Sequence, residues 1–161
     1  WPRMRERIPS SRFVTSCWLP NFELVFRKPG VDGSAKADIR FTGLARHVVY
    51  GVLYRISARE QAQLDAIEGG YHQASVITQR GDDTLRAFTY IASQPLEAPF
   101  APFEWYLELI AAGARAHELP DSYLSFLEQV VAVPDPDPSR HARNRPQTPF
   151  QNLARPRTRG V

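Results

Sequence analysis

Residues 48–70, VVYGVLYRISAREQAQLDAIEGG, contain the strongest structural signals of the chain. Their first part, residues 48–56, is rich in Val, Tyr and Ile, which favour the pleated and half-buried surface of a strand. Two further apolar stretches, residues 22–26 and 37–41, also predict strands, and Pro-Gly and Asp-Gly pairs between them indicate turns. The first half of the chain therefore predicts three strands.

The second part of the quoted stretch predicts a short helix. Ser57 and Glu60 form a capping-box pattern, in which a hydroxyl and a carboxylate satisfy otherwise unpaired amides at the start of a helix. Apolar residues then recur at helical spacing until Gly69-Gly70, a pair that favours a helix end. We expect the helix to occupy residues 58–68.

The rest of the folded part predicts a hairpin and two longer helices. Residues 75–79 and 85–92 have strand character and are separated by the turn sequence Arg-Gly-Asp-Asp. Residues 103–117 and 120–132 each have an apolar stripe at helical spacing. Strands, a short helix, a hairpin and two C-terminal helices together predict an α+β fold with a small, mainly antiparallel sheet.

Composition divides the chain of 161 residues into one domain and a tail. Residues 1–133 are long enough to bury one core, whereas residues 134–161 are rich in Pro, Arg, Asn and Gln and predict a largely disordered tail. The tail holds six Arg and two Asp, a net charge of +4, so the total of +3 leaves −1 for the domain. A nearly neutral domain does not favour a nucleic-acid partner, although the basic tail alone could bind one.

Other classes of function have little support in the sequence. Cys17 is the single cysteine, which excludes an intrachain disulfide and fits a reducing, cytoplasmic compartment. Neither Cys17 nor the four histidines have the spacing of a metal site or of a hydrolytic triad, so we expect no metal and no cofactor. No apolar run approaches the roughly 20 residues that cross a bilayer, so no membrane partner is expected. The oligomeric state stays open.

Glu68 lies at the unfavourable end of its predicted helix. The helix dipole places partial negative charge there, so a carboxylate is disfavoured and any burial would move its pKa upward, toward general acid/base chemistry. The alternative is a solvated side chain beside two flexible glycines. The residues alone leave both interpretations open.

Four motifs in order resemble the γ-glutamylcyclotransferase-like (AIG2-like) family. Residues 49–56 with 64–69 resemble its V-x-G-V-L-Y strand and L-D-x-x-E-G helix end, residues 4–10 its M-x-x-R-x-P-S stretch, and residues 32–39 its D-G-S-G-K-A-x-I segment. Residues 113–123 resemble its G-A-x-x-x-G-L-P-x-x-Y helix junction. The resemblance spans the whole predicted domain and implies the γ-glutamylcyclotransferase-like fold, with a barrel-like sheet.

The resemblance also implies a reaction, in which a γ-glutamyl amino acid, peptide or amine cyclises to 5-oxoproline and releases an amine. Glu68 corresponds to the family's general acid/base, and Tyr71, Tyr90 and Tyr106 correspond to tyrosines of the substrate pocket. Each tyrosine could equally be an amphipathic core residue. Arg5 and Arg7 could attract a substrate carboxylate or be surface arginines. No cofactor is implied, and the resemblance leaves the substrate open among γ-glutamyl amino acids, glutathione, γ-glutamylamines and an intermediate of antibiotic biosynthesis.

One family motif is missing from the sequence. The Y-G-S-N loop, which presents backbone amides to the γ-glutamyl group, and the strand before it would precede Trp1. We therefore expect residues 1–133 to be an N-terminally truncated domain of weak or no activity, from an active full-length parent. The alternative is a noncatalytic binding module on the same fold.

Overall fold

The structure is a computed structural model that describes residues 2–97 and 100–146. It contains, in chain order, α1 (Pro2–Arg7), β1 (Arg12–Pro20), β2 (Phe22–Pro29), β3 (Ala35–Phe41), β4 (Val48–Arg55), α2 (Ala58–Ile67), β5 (Tyr71–Arg80), β6 (Asp83–Ala92), α3 (Glu104–Ala116), α4 (Asp121–Glu128) and α5 (Pro138–Asn144). The expected capping box is present at the start of α2, where the Glu60 N–H donates to the Ser57 hydroxyl and the Ser57 N–H to the Glu60 carboxylate.

The strands form two antiparallel sheets. The larger has the order β4-β1-β5-β6, and β2 and β3 pair as a separate two-stranded sheet. The predicted α+β class with antiparallel pairing is confirmed. The predicted hairpin is also confirmed, with strands that start earlier than expected and a tight turn in which Gly81 has φ +55°. A positive φ is a conformation that glycine adopts without steric cost.

The central strand β1 is absent from the sequence prediction. It pairs with β4 along its length and with β5 at Trp18, whose indole Nε1 donates to Gln79 Oε1 at 2.9 Å. Its buried positions are Thr15, Cys17 and Leu19, whereas Val14 on the other face is exposed. Because the polar residue Thr15 points inward and the apolar residue Val14 points outward, the alternation of polar and apolar residues that identifies a half-buried strand is hidden.

The helices α3 and α4 supply the main apolar core. Its buried members are Ala111, Ala114, Leu119, Tyr123, Leu124 and Leu127, and Leu24 and Tyr50 pack against them from the strands. Both helices are predicted, but α4 ends at Glu128 rather than at residue 132. This core lies beneath the start of β2 and β4.

Residues 134–146 differ from the predicted disordered tail. Asp135 accepts hydrogen bonds from Trp105 Nε1 at 2.7 Å and from Arg140 Nε at 2.7 Å, and Asp137 caps the short helix α5. None of the α5 residues is buried, so polar contacts rather than an apolar stripe hold this segment against α3. Composition cannot reveal such contacts. The rest of the predicted tail, residues 147–161, lies outside the described residues.

Candidate active site

Glu68 follows the last residue of α2 and caps it. Its N–H donates to Leu64 O at 3.0 Å, and its carbonyl accepts the N–H of Tyr71 at 3.1 Å. Gly70, at φ +82°, allows the chain to turn directly into β5. The Glu68 side chain is 19% exposed, so the carboxylate is partly withdrawn from water.

Arg7 covers the Glu68 carboxylate. Its guanidinium Nη1 donates to Glu68 Oε1 in an ion pair, and its carbonyl accepts a hydrogen bond from Gln63 Nε2 at 2.9 Å. Arg5, the other arginine considered from the sequence, is exposed. Arg7 thus joins α1 to the end of α2 through both its side chain and its backbone carbonyl.

Two of the predicted tyrosines meet at one residue of β3, Ala37. The Tyr71 hydroxyl donates to Ala37 O at 2.8 Å, and the Ala37 N–H donates to the Tyr106 hydroxyl at 3.1 Å. Tyr71 comes from the start of β5 and Tyr106 from the first turn of α3. The two phenols therefore converge on β3 from opposite parts of the chain.

Tyr90 approaches α2 from β6. Its hydroxyl donates to Asp65 Oδ1 at 2.6 Å. Asp65 lies three residues before Glu68, a spacing that places both side chains on the same face of a helix. Asp65 is not among the site residues predicted from the sequence, although its spacing from Glu68 within the L-D-x-x-E-G motif indicates that the two side chains share a helix face.

The phenols of this cluster hold their protons tightly. Burial, followed by the nearby Tyr106 phenol and Glu68 carboxylate, raises the pKa of Tyr71. Burial, followed by the hydrogen bond to Asp65, raises the pKa of Tyr90, and the Glu68 charge adds to this effect. Both side chains are therefore neutral hydrogen-bond donors at physiological pH, and both lie within electrostatic range of Glu68.

A cavity of about 490 Å³ adjoins this cluster. It lies between the edge strands β4 and β6, and Met4, Leu64, Leu85, Phe88 and Tyr90 are among its lining residues. Of the four predicted site residues, Tyr90 lines this cavity, whereas Glu68, Tyr71 and Tyr106 do not.

The described part of the chain offers neither a metal-binding cluster nor a membrane-spanning helix. Within residues 2–97 and 100–146, the side chains of His, Cys, Asp and Glu form no group of three or more that could hold a metal ion. In the same part of the chain, none of the helices is long and apolar enough to span a membrane.

Comparison with known proteins identifies relatives in both sequence and structure. Residues 48–127 match the AIG2-like family, and no curated protein sequence matches the chain. Among solved structures, the chain is similar to a γ-glutamyl cyclotransferase, with a TM-score of 0.75, 21% identity and 82% of each chain covered. An uncharacterized protein from Homo sapiens gives a TM-score of 0.74, 22% identity and 81% coverage of each chain.

A third similar structure is YkqA from Bacillus subtilis, with a TM-score of 0.67 and 21% identity, over 82% of this chain and 49% of YkqA. At such identities these likenesses show a shared fold. The family match covers the stretch from β4 through α2 to α4, which includes Glu68 and all three tyrosines. The chain therefore belongs to the AIG2-like family and has the γ-glutamylcyclotransferase-like fold.

Proposed function

We propose that the protein cyclises a γ-glutamyl amino acid, peptide or amine to 5-oxoproline, with Glu68 as the general acid/base. The observation that carries this proposal is the partly buried Glu68 carboxylate, whose charge acts electrostatically on two protonated phenols, Tyr71 and Tyr90. The family match and the structural similarity to a γ-glutamyl cyclotransferase support the same reaction.

The reaction needs one proton relay and one intramolecular attack. Glu68 takes a proton from the substrate α-ammonium, and the resulting amine attacks the γ-carbonyl carbon to form the ring C–N bond. The bond from that carbon to the leaving nitrogen breaks as Glu68 returns the proton to this nitrogen. The ring nitrogen gives its remaining extra proton to the departing amine, which leaves as an ammonium, so 5-oxoproline carries a neutral lactam N–H and Glu68 is again a carboxylate. Because nucleophile and electrophile belong to one molecule, holding the glutamyl chain in a folded shape supplies much of the acceleration.

The ion pair with Arg7 has a direct consequence for substrate binding. The α-ammonium of the substrate competes with the Arg7 guanidinium for the Glu68 carboxylate, because both are cations. The two side chains are 39% and 19% exposed, and a pair with this exposure contributes about 1 kcal/mol or less. Substrate binding can readily offset a cost of this size.

The test compares Glu68→Gln with Glu128→Gln in protein expressed from the full open reading frame. Release of 5-oxoproline from γ-glutamyl-alanine is measured for both. Glu128 is a matched control, because its carboxylate is 47% exposed on α4 and pairs with Arg115. Loss of a general acid/base costs about 10²- to 10⁴-fold in kcat, so Glu68→Gln should lose most activity while Glu128→Gln keeps it. Normal turnover by Glu68→Gln would show that the catalytic role is wrong.

A noncatalytic binding module is the second candidate, and the Arg7 contact favours it, since this arginine covers the carboxylate. A binding module predicts that wild-type protein binds γ-glutamyl-alanine in calorimetry without releasing 5-oxoproline.

We further propose a role in γ-glutamyl or glutathione metabolism in the cytoplasm. The cytoplasmic location is supported by the single and buried thiol of Cys17, which fits a reducing compartment.

A further inference from the structure

Two lysines face each other across the small sheet. A β-bulge at Arg27 shifts the register, so that Lys28 of β2 lies directly opposite Lys36 of β3. Residues directly opposite in an antiparallel pair project from the same face, and like charges in that position destabilise the sheet. Each ammonium group therefore needs a compensating partner.

Lys36 has such partners within the fold. Its ammonium donates to Asp32 Oδ2 at 2.6 Å and to Ser34 Oγ at 2.7 Å. It also lies 4.8 Å from the Tyr106 ring centroid and 5.0 Å from that of Trp105, distances at which aromatic rings attract cations. The Asp32 carboxylate and the aromatic rings therefore compensate the positive charge of Lys36.

Lys28 lacks a matching carboxylate. Among the residues that the structure describes, none forms an ion pair or hydrogen bond with its ammonium, which lies 5.1 Å from the ring centroid of Tyr71. The ammonium also lies against Gly70, where an added Cβ would stand 3.0 Å from Lys28 Cε and 3.4 Å from Nζ. The Lys28 ammonium thus lies beside Gly70, two residues after Glu68, and over the ring of Tyr71, one of the proposed substrate tyrosines.

We propose that Lys28 binds a carboxylate of the substrate. This inference rests on the proposed function and concerns the substrate class of the same site. A γ-glutamyl amino acid carries two carboxylates, one on the glutamyl Cα and one on the leaving amino acid, whereas a γ-glutamylamine carries the first alone. A partly buried cation beside Gly70 and Tyr71, without a carboxylate partner within the fold, fits either group.

A purely structural role makes a different prediction. A cation near the C-terminus of α2 would favourably meet the negative end of the helix dipole. In that case the Lys28→Met variant would lose thermal stability while the KM of every substrate stayed the same. Measurement of KM together with the melting temperature separates the two roles.

The experiment uses protein from the full open reading frame and two substrates, γ-glutamyl-alanine and γ-glutamylethylamide, which lacks the second carboxylate. Lys28→Met is compared with wild type, with Lys28→Gln as a second variant should the first not fold. Arg40→Met is the matched control, because this arginine is 55% exposed on β3 and pairs with Glu23. We expect KM to rise about 10- to 100-fold in the Lys28 variants, with kcat changed much less.

A rise for γ-glutamyl-alanine alone assigns Lys28 to the carboxylate of the leaving group, and an equal rise for both substrates assigns it to the glutamyl carboxylate. An unchanged KM for both in a folded Lys28 variant would overturn the inference while leaving the proposed function intact. Absence of 5-oxoproline release by wild-type protein would instead refute the proposed function, and this inference with it.

Discussion

Replacement of Asp38 tests how the two sheets are joined beside the candidate site. The Asp38 side chain is fully buried, with Oδ2 accepting from Arg27 Nε of β2 and Oδ1 accepting from the Ala92 N–H of β6, both at 2.9 Å. One carboxylate therefore connects the two-stranded sheet to the larger one. The carbonyl of the neighbouring residue, Ala37, accepts from the Tyr71 hydroxyl, and its N–H donates to the Tyr106 hydroxyl.

The cost of Asp38→Ala follows from the two contacts that it removes. The Ala92 N–H loses its acceptor in a residue that is 5% exposed, which costs about 1–3 kcal/mol. The Arg27 side chain is 27% exposed and can regain water, so its loss falls below the 3–5 kcal/mol of a fully buried pair and adds about 1 kcal/mol. The free energy of unfolding should fall by about 2–4 kcal/mol.

The matched control is Asp38→Asn, which keeps an oxygen for the Ala92 N–H and removes the charge. Urea unfolding followed by circular dichroism should show a loss of about 1 kcal/mol for Asp38→Asn and the full loss for Asp38→Ala. Equal stability of Asp38→Ala and wild type would refute the reasoning. So would equal losses in the two variants, because the Ala92 hydrogen bond would then carry no weight.

Two further predictions concern the tyrosines and the dependence of stability on pH. Tyr71→Phe and Tyr106→Phe should each lower the free energy of unfolding by about 1 kcal/mol. Since both hydroxyls bond to the backbone of the same residue, Ala37, urea titration of the double variant should deviate from additivity by about 0.5 kcal/mol or more. Hydrogen bonds from Arg140 hold the pKa of Asp135 well below its ordinary value, so this carboxylate adds stability that is present above about pH 4 and is lost as pH falls toward the lowered pKa. Acid titrations of stability should therefore be shallower below pH 4 in Asp135→Asn than in wild type, and identical slopes would contradict this assignment.

Local signals explain which parts of the fold could be predicted. The capping box at Ser57 and the stop at Gly69-Gly70 are contained within a few residues, and α2 forms between them. In contrast, β1 is recognisable only when its partners β4 and β5 are known, because Thr15 and Cys17 face the interior. Strand pairing over long separations leaves little trace in a single sequence.

The same distinction applies to the site. Glu68 could be singled out from its place at a helix end, whereas the contact with Arg7 joins residues 61 positions apart and has no pattern in the sequence. The Lys28–Lys36 juxtaposition depends on a bulge at Arg27, which shifts the register by one residue. Neither feature follows from residue type or spacing.

Three separate features of the fold position the tyrosines. Tyr71 follows Glu68 by three residues through a glycine turn, and the Tyr106 hydroxyl meets the same residue of β3, Ala37, as the Tyr71 hydroxyl does. Tyr90 depends on hairpin register, since it lies opposite Gln73 near the start of β5. A slip of one residue would turn Tyr90 to the other face of the sheet and away from Asp65. The tight turn at Gly81 therefore matters to the site although it lies at the far end of the hairpin, because it fixes the register on which the Tyr90 contact depends.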